Sequence, residues 1–517
     1  MNSENKTKKF FNTAGLCFPD DHYMVDPLKR LREVESFIDQ KFYFTLHAPR
    51  QTGKTTYLHT LARKLNLEGK YIALVVSFEQ AGYNDISIEK ANDILTDCIY
   101  RAALRYLPLQ ESPKKPDQVL SVKNYLEDWA SSQTKSIVLF IDEIDALLDD
   151  VLISILRQLR DGYQSRPKFF PASVALVGLR DVRDYKIKVR DDKQSYGAAS
   201  PFNIKSESLF LNNFSIEEVH ELLEQHSQET GQVFSREAKD EIFRLTNGQP
   251  WLVNALAYHI VTRMLGNEYS REITFDLVSE AKNQLILRRD THLDSLIDKL
   301  KEPRVKRIVQ TIINGENLSF NVFDDDILYV RDLGIVSQTS PLKFSNPIYA
   351  EIIPRVMASP IQESIPDDIR TQWFVDKDGL LEMDKVLKEF QEFYRRNSES
   401  WLDRFEYRES AQHLLLMAFL QRVVNSGGEI VREMAVGNGR LDMLVKFKTQ
   451  AIALELKIKR DRNSIPDGKK QLTRYLDRLG LSEGYLVVFD TGKKSWKEKL
   501  YFKHISEGNK RIIMVGL

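Results

Sequence analysis

The segment from Phe42 to Leu65 constrains the fold more than any other stretch of the chain. Phe42-Tyr-Phe-Thr-Leu-His is an apolar, aromatic and β-branched run, the pattern of a buried strand, and Pro49 stops it. Gly53-Lys54-Thr55-Thr56 then opens a helical period, Tyr57-Leu58-x-x-Leu61-Ala62-x-x-Leu65. Between strand and helix lie Ala48, Pro49, Arg50, Gln51, Thr52, Gly53, Lys54 and Thr55. In such a loop successive backbone N–H groups and the helix N-terminus converge on an anion. Lys54 would neutralise β- and γ-phosphate charge, and the Thr55 hydroxyl would ligate magnesium. Ala48 stands where the usual pattern has glycine, whereas Gly53 beside the lysine is retained. ATP with Mg²⁺ is the ligand expected of residues 48 to 56.

Two further strands follow at the short intervals of βαβ units, Tyr71 to Phe78 and Ser136 to Asp145. The second ends in Asp142-Glu143. One carboxylate at the C-terminal edge of a strand can hold magnesium together with Thr55, and its neighbour can polarise the attacking water. These roles are expected of Asp142 and Glu143. A fourth buried strand, Ser173 to Leu179, ends near Arg180 and Arg183, either of which is a candidate to stabilise developing charge.

At these residues the chain resembles the STAND and archaeal-type ATPase branch of the AAA+ class, across most of residues 10 to 355. The resemblance rests on the phosphate loop and the Asp142-Glu143 strand. It extends to Phe11-Asn-Thr-Ala-Gly, His22-Tyr-Met-Val, Pro27-Leu, Ser200-Pro-Phe-Asn-Ile, Leu209 to Phe214 and Thr246-Asn-Gly-Gln-Pro-Trp. Gly248-x-Pro250 resembles the glycine-proline signature of that branch's helical lid. The resemblance implies that Tyr23 to Leu28 border the adenine and that the helix after Pro250 closes on the nucleotide. Taken alone, Gly248 to Pro250 is equally a helix stop and a new start. Ser215-Ile-Glu-Glu is a capping-box opening for a helical stretch over 215 to 290. From 291 to 357 come helices and then Ile327 to Val336 and Leu342 to Pro347, a helix-then-hairpin order similar to a winged helix, for which a structural role is favoured over DNA binding.

Composition narrows the classes. Hydrophobic residues make up 42% and charged residues 29% of 517 residues, the balance of an ordinary globular chain. At about 100 to 200 residues per domain, three or four domains are expected. Apolar runs such as Ile137 to Ile141 are too short to cross a bilayer, and the polar N-terminus has no apolar h-region, so a cytoplasmic protein with no membrane partner is expected. Two cysteines, Cys17 and Cys98, are too few for a disulfide framework or a thiolate zinc site. Net charge is zero, yet residues 440–517 carry 18 Lys and Arg against 9 Asp and Glu.

That basic stretch coincides with a second pattern. Ala358 to Asp368 contains two prolines and little periodicity and reads as a linker. Glu409 to Val424 reads as a long amphipathic helix, followed by three strands from Glu429, Arg440 and Ala451. Side chains alternate along a strand, so Glu455 and Lys457 share one face, and Asp442 on the neighbouring strand can meet them there. The carboxylates would hold Mg²⁺ or Mn²⁺, and Lys457 would orient water or offset charge at a scissile phosphate. This arrangement resembles the PD-(D/E)xK nuclease superfamily over about 110 residues, with Leu441-Asp442 in place of proline-aspartate. The resemblance implies Glu409 as an additional metal ligand. Gln471-x-x-x-Tyr475 is similar to the Q-x-x-x-Y helix of the RecB-like branch, where these residues support the active site. Lys459, Arg460, Arg462, Lys469, Lys470 and Arg474 would meet a polyanion.

The expected fold is therefore α/β and multidomain: an ATPase core with a parallel sheet (1–212), a helical lid (213–290), a winged-helix-like module (291–357), a linker and helical connector (358–400) and an α/β/α nuclease-like domain (401–517). The expected function is an ATP-binding and ATP-hydrolysing control element on a metal-dependent nuclease that cuts DNA, with a microbial defence or mobile-element role implied by resemblance alone. The alternative is a signalling or scaffolding ATPase whose nuclease-like fold binds nucleic acid without cutting. Expected partners are nucleic acid, DNA before RNA, and either further copies of the chain or a partner protein.

Overall fold

A computed structural model describes residues 8–83, 86–116, 121–180, 205–288, 291–313, 324–364, 374–404, 411–424, 428–436, 439–459, 464–490, 492 and 494–517. The chain forms two compact units, one of Met1–Arg288 with Tyr329–Gly334, the other of Arg289–Leu328 with Ile335–Leu517.

The first unit is built on a five-stranded parallel sheet in the order β2-β3-β4-β1-β5. Its strands are β1 (Tyr43–His47), β2 (Tyr71–Ser77), β3 (Ser136–Asp142), β4 (Ser173–Gly178) and β5 (Lys205–Phe210). A parallel sheet is covered on both faces, which is why these strands are nearly continuous apolar runs. Alternate residues feed two cores. Tyr43, Leu74, Leu139 and Leu176 pack with helices Ile88–Tyr106, Val122–Ser131 and Asp149–Gly162, while Phe44, Val75, Phe140 and Val177 pack with helix Lys54–Glu68. β5 belongs to no pattern that the sequence announces, since four of the six residues in Lys205-Ser-Glu-Ser-Leu-Phe are polar; it is a strand because it pairs along one edge of β1.

Helices Ile216–Thr230, Arg236–Thr246, Pro250–Tyr258 and Phe275–Arg288 follow, with a π-helical turn His259–Met264 between the last two. The capping box at Ser215 is present: its hydroxyl accepts from Glu218 N at 3.2 Å and its own N–H donates to Glu218 at 2.8 Å. Gly248 ends the second of these helices with φ +69°, and a Cβ there would lie 1.9 Å from the Phe214 carbonyl oxygen, so only glycine fits. Pro250 occupies the first turn of the next helix, where its missing N–H costs no hydrogen bond.

The second unit contains a six-stranded mixed sheet in the order β10-β11-β9-β8-β7-β6. Its strands are β6 (Gly428–Val436), β7 (Gly439–Phe447), β8 (Gln450–Ile458), β9 (Glu483–Phe489), β10 (Tyr501–Glu507) and β11 (Lys510–Gly516). β6, β7 and β8 form an antiparallel meander; helix Ser464–Leu479 then carries the chain from β8 to its parallel neighbour β9. Leu472, Tyr475 and Leu476 of that helix pack on Leu444, Ala453, Leu486 and Val488.

Three expectations change here. Ile327 to Val330 lie in helix Asp325–Asp332, and the expected hairpin is reduced to one antiparallel bridge, Val336 with Phe344. The stretch expected as a linker from Ala358 begins inside helix Pro347–Ser364, which runs unbroken through 357 and 358 because it packs along helix Ala411–Val424. That second helix, expected to be amphipathic, is buried around its circumference, with Leu414 to Leu420 all inaccessible; it is covered by helices Pro347–Ser364 and Met383–Arg404 and by β6.

Candidate functional site

The phosphate loop leaves β1 at Ala48, which is fully buried and donates its N–H to Gly178 O at 3.3 Å. The loop's left-handed positions are Gln51 (φ 58°) and Gly53 (φ 92°), so alanine at 48 is not asked for a glycine conformation. Lys54 opens the helix and folds its ammonium back onto the loop, donating to Ala48 O at 2.7 Å and Pro49 O at 3.0 Å. Thr52 Oγ1 donates to Pro49 O at 2.9 Å. Burial pushes the Lys54 ammonium down to about 8, against the pull of Asp142 and Asp145. The Lys54 ammonium touches two carbonyls and, among the described residues, is in direct contact with no carboxylate, a position that phosphate oxygens are suited to fill.

β3 delivers its acidic pair to the same place. Thr55 Oγ1 donates to Asp142 Oδ2 at 2.7 Å, while Asp142 Oδ1 accepts from Glu143 N at 2.9 Å. Asp142 is buried at 4% exposure, and its hydroxyl partner makes a hard-oxygen pair of the kind that binds Mg²⁺. Glu143 turns out of the strand at φ 56°, and Ser77, ending the neighbouring strand β2, donates to its carboxylate. Burial raises the Glu143 carboxyl above its ordinary range, with the Asp142 charge adding to the effect and the Ser77 hydrogen bond opposing it.

Beside the loop is a cavity bordered by Met24, Val25 and Pro27 on one side, Gln51 to Gly53 and Thr56 on another, and Pro250 with Trp251 on a third. The two segments that the resemblance assigned to the adenine and the lid thus line one space with the loop. Trp251 Nε1 donates to Thr13 O at 2.8 Å and ties the lid helix to the N-terminal segment.

Two positions escape sequence reading. Arg30 donates to Thr52 O at 3.0 Å and to Asn212 O, lies 4.9 Å from the Phe214 ring centroid, and is lowered to about 10 by burial. Ser77 sits at the end of an otherwise apolar strand. Nothing local marks either one, because their partners are dozens of residues away. Arg180, a candidate for charge stabilisation, pairs with Asp332 at 3.1 Å, both nearly buried at 10% and 4% side-chain exposure. The same segment brings Gly334 against Pro49, where a Cβ would come within 2.7 Å of the proline ring. Arg183 lies outside the described residues.

In the second unit, the pairing of β7 with β8 reaches Met443 opposite Leu454, and Asp442 and Glu455 are the next residues along their strands. Asp442 Oδ2 accepts from Leu456 N at 2.8 Å. Glu455 is 2% exposed; Lys457 Nζ donates to its Oε1 at 3.0 Å, while its Oε2 has no hydrogen-bond partner among the described residues. Burial raises the Glu455 carboxyl, and the Asp442 charge raises it further. On Lys457 burial acts downward, but the Glu455 and Asp442 charges outweigh it and hold the ammonium protonated. Gln471 Oε1, on helix Ser464–Leu479, is likewise buried without a partner among the described residues, and Tyr475 is buried one turn further on. Sequence reading had no signal for Gly468, where a Cβ would meet Lys457 Cγ at 2.9 Å and Leu486 Cδ1 at 2.8 Å. Glu409, Arg460 and Arg462 lie outside the described residues, and among the described residues no three His, Cys, Asp or Glu side chains converge as a metal-binding group.

A parallel sheet ordered β2-β3-β4-β1-β5, with a phosphate loop after β1 and an acidic pair ending β3, defines a P-loop ATPase domain. The chain belongs to the AAA-like domain family, whose model matches residues 30–350. Solved structures similar to it include a Walker-type ATPase of Pyrococcus abyssi, at 14% identity and TM-score 0.47, covering 66% of this chain and 99% of that one. Another is the RuvB Holliday junction branch migration motor of Thermotoga maritima, at 14% identity and TM-score 0.34, covering 63% and 92%. A third is the Orc1 protein of Aeropyrum pernix in complex with DNA, at 13% identity and TM-score 0.34, covering 65% and 92%. No curated protein matches the chain. Among the described residues no helix is long and apolar enough to cross a membrane.

Proposed function

We propose that this protein is a nucleotide-controlled nuclease of the STAND type: its P-loop unit binds and hydrolyses ATP, and its second unit cuts DNA with a divalent metal. On the first unit, Lys54 and the loop N–H groups would hold the β- and γ-phosphates, Thr55 and Asp142 would hold Mg²⁺, and Glu143 would orient water. On the second, Asp442 and Glu455 would hold Mg²⁺ or Mn²⁺ through their carboxylate oxygens. Bound there, the metal supplies Lewis-acid stabilisation of the charge that builds on the phosphate. Lys457 then offsets charge beside it, and Gln471 orients the carboxylate pair.

The observation that carries the nuclease reading is Glu455: a deeply buried carboxylate with one oxygen on Lys457 and the other without a partner among the described residues. Burying such a group unsatisfied costs roughly 1–3 kcal/mol or more. A cation at this point removes that cost and cancels the excess negative charge of two carboxylates against one ammonium. One observation favours the alternative, binding without cutting: only two carboxylates are gathered there among the described residues.

The test is to incubate the purified protein with linear and circular DNA in Mg²⁺, with and without ATP, beside Lys457→Ala and Lys54→Ala. Cleavage abolished in Lys457→Ala and altered in its ATP response in Lys54→Ala is the expected result. Undiminished cleavage by Lys457→Ala would remove the proposed site. Retained DNA binding with no cleavage under any condition would transfer the reading to the scaffold.

A further inference from the structure

Asn254 stands one helical turn after Pro250 and borders the cavity beside the phosphate loop. It is 8% exposed. Its Nδ2 donates to Pro250 O at 2.8 Å, and because a carbonyl accepts and cannot donate, that contact fixes which end of the amide is nitrogen. Oδ1 is the other end, a buried acceptor with no hydrogen-bond partner among the described residues. Such an acceptor is costly to leave unpaired, and an N–H donor carried in by a ligand removes the cost.

Other polar groups around the cavity are already used within the protein. Met24 offers a peptide N–H and C=O, the pair with which a backbone segment can read the edge of a base. Gln225, on helix Ile216–Thr230, occupies both: it accepts from Met24 N at 3.1 Å and donates to Met24 O at 2.9 Å. Asn12 is spent likewise, its Oδ1 accepting from Ala14 N at 3.0 Å and its Nδ2 donating to Leu16 O at 3.2 Å. Val25, Pro27, Pro250 and Trp251 supply the apolar surface that suits the faces of a planar ring.

We propose that Asn254 selects the base of the bound nucleotide, its Oδ1 accepting a hydrogen bond from the exocyclic amino group of adenine. This inference rests on the ATP-binding reading and names the atom that makes the site one for adenine. Guanine carries a carbonyl acceptor where adenine carries that amino donor. GTP would therefore set two acceptors against each other and leave Oδ1 buried and unpaired. Since Asn254 shares a helix with Pro250 and Trp251, the same hydrogen bond ties the lid helix to the base.

The experiment compares ligands that differ at that one group. The full chain is titrated calorimetrically in Mg²⁺ with ATP, with purine riboside triphosphate, which lacks the amino group, and with GTP. Wild type should bind ATP about tenfold more tightly than the purine analogue, and GTP more weakly still. In Asn254→Leu, a substitution of similar size, ATP should weaken about tenfold while the analogue stays within about twofold, so that the preference between them disappears. Should that variant not fold, Asn254→Ala, which favours a helix, reads the same preference. Equal affinity of wild type for ATP and the analogue would overturn the inference. A preference retained in the variants would give the amino group a different partner, and an equal loss for both ligands would make the amide merely structural; either result also overturns it. Binding of none of the nucleotides by wild type would instead remove the ATP-binding reading itself.

Discussion

Lys54 shows how a residue's chemistry depends on its surroundings. The motif places a lysine at the start of the helix, but burial among loop carbonyls brings its ammonium to about 8. Below that value the side chain is charged and ready for phosphate; above it the empty site holds a neutral amine that must take up a proton on binding. ATP affinity should therefore be flat from pH 6.5 to 7.5 and weaken by up to about tenfold per unit above 8. Calorimetric titrations in two buffers of different ionisation enthalpy would also detect the proton uptake; affinity unchanged up to pH 9.5 would count against it. Lys54, Thr55, Asp142, Glu455 and Lys457 could all be named from sequence, since loop, strand end and strand alternation are local patterns. Arg30 and Ser77 could not, because their partners, Asn212 and Glu143, are brought to them by the sheet.

At the level of elements, helix Ser464–Leu479 is the clearest case of packing that sets chemistry. Gly468 is buried against Lys457 and Leu486, where alanine would place a methyl group at 2.9 and 2.8 Å from side-chain carbons. Alanine favours a helix by roughly 1 kcal/mol over glycine, but overpacking costs roughly 1–3 kcal/mol, so the steric clash prevails and Lys457 is displaced. Gly468→Ala should lower DNA cleavage about tenfold or more while DNA affinity stays within about twofold. Parallel cleavage and anisotropy assays check this, and full activity would mean that Lys457 tolerates the shift. The same level accounts for the two misread segments. Ile327 to Val330 have the apolar, β-branched content of a strand and nevertheless form a helix, as does the proline-containing stretch beyond Ala358. Propensity is a weak prior once a helix has a partner surface to cover, and the second helix has one in Ala411–Val424.

For the whole molecule, the informative feature is that Tyr329–Gly334 belongs to the first compact unit although about 40 residues of the second precede it in sequence. Asp332 brings a buried carboxylate to Arg180, and removing it takes away that countercharge from a guanidinium held out of water. Asp332→Ala should destabilise the first unit by roughly 3–5 kcal/mol, the range for breaking a buried pair by removing one partner. Thermal unfolding followed by Trp fluorescence would report it, and Arg180→Met/Asp332→Leu should recover much of the stability. An unchanged melting curve for Asp332→Ala would show that the pair contributes nothing to this unit.

By itself the amino-acid sequence determined the phosphate loop, the strand that carries Asp142 and Glu143, the capping box at Ser215, the helix start at Pro250, and the shared face of Glu455 and Lys457. Each follows from period, turn chemistry or spacing within a few residues, which the backbone obeys wherever it is placed. Only the tertiary structure decided that Thr55 meets Asp142, that Ser77 holds Glu143, that Arg180 is paired with Asp332, and that Glu455 keeps one oxygen without a partner among the described residues. Those facts depend on strand order, register and burial, which are set by long-range packing and have no local code.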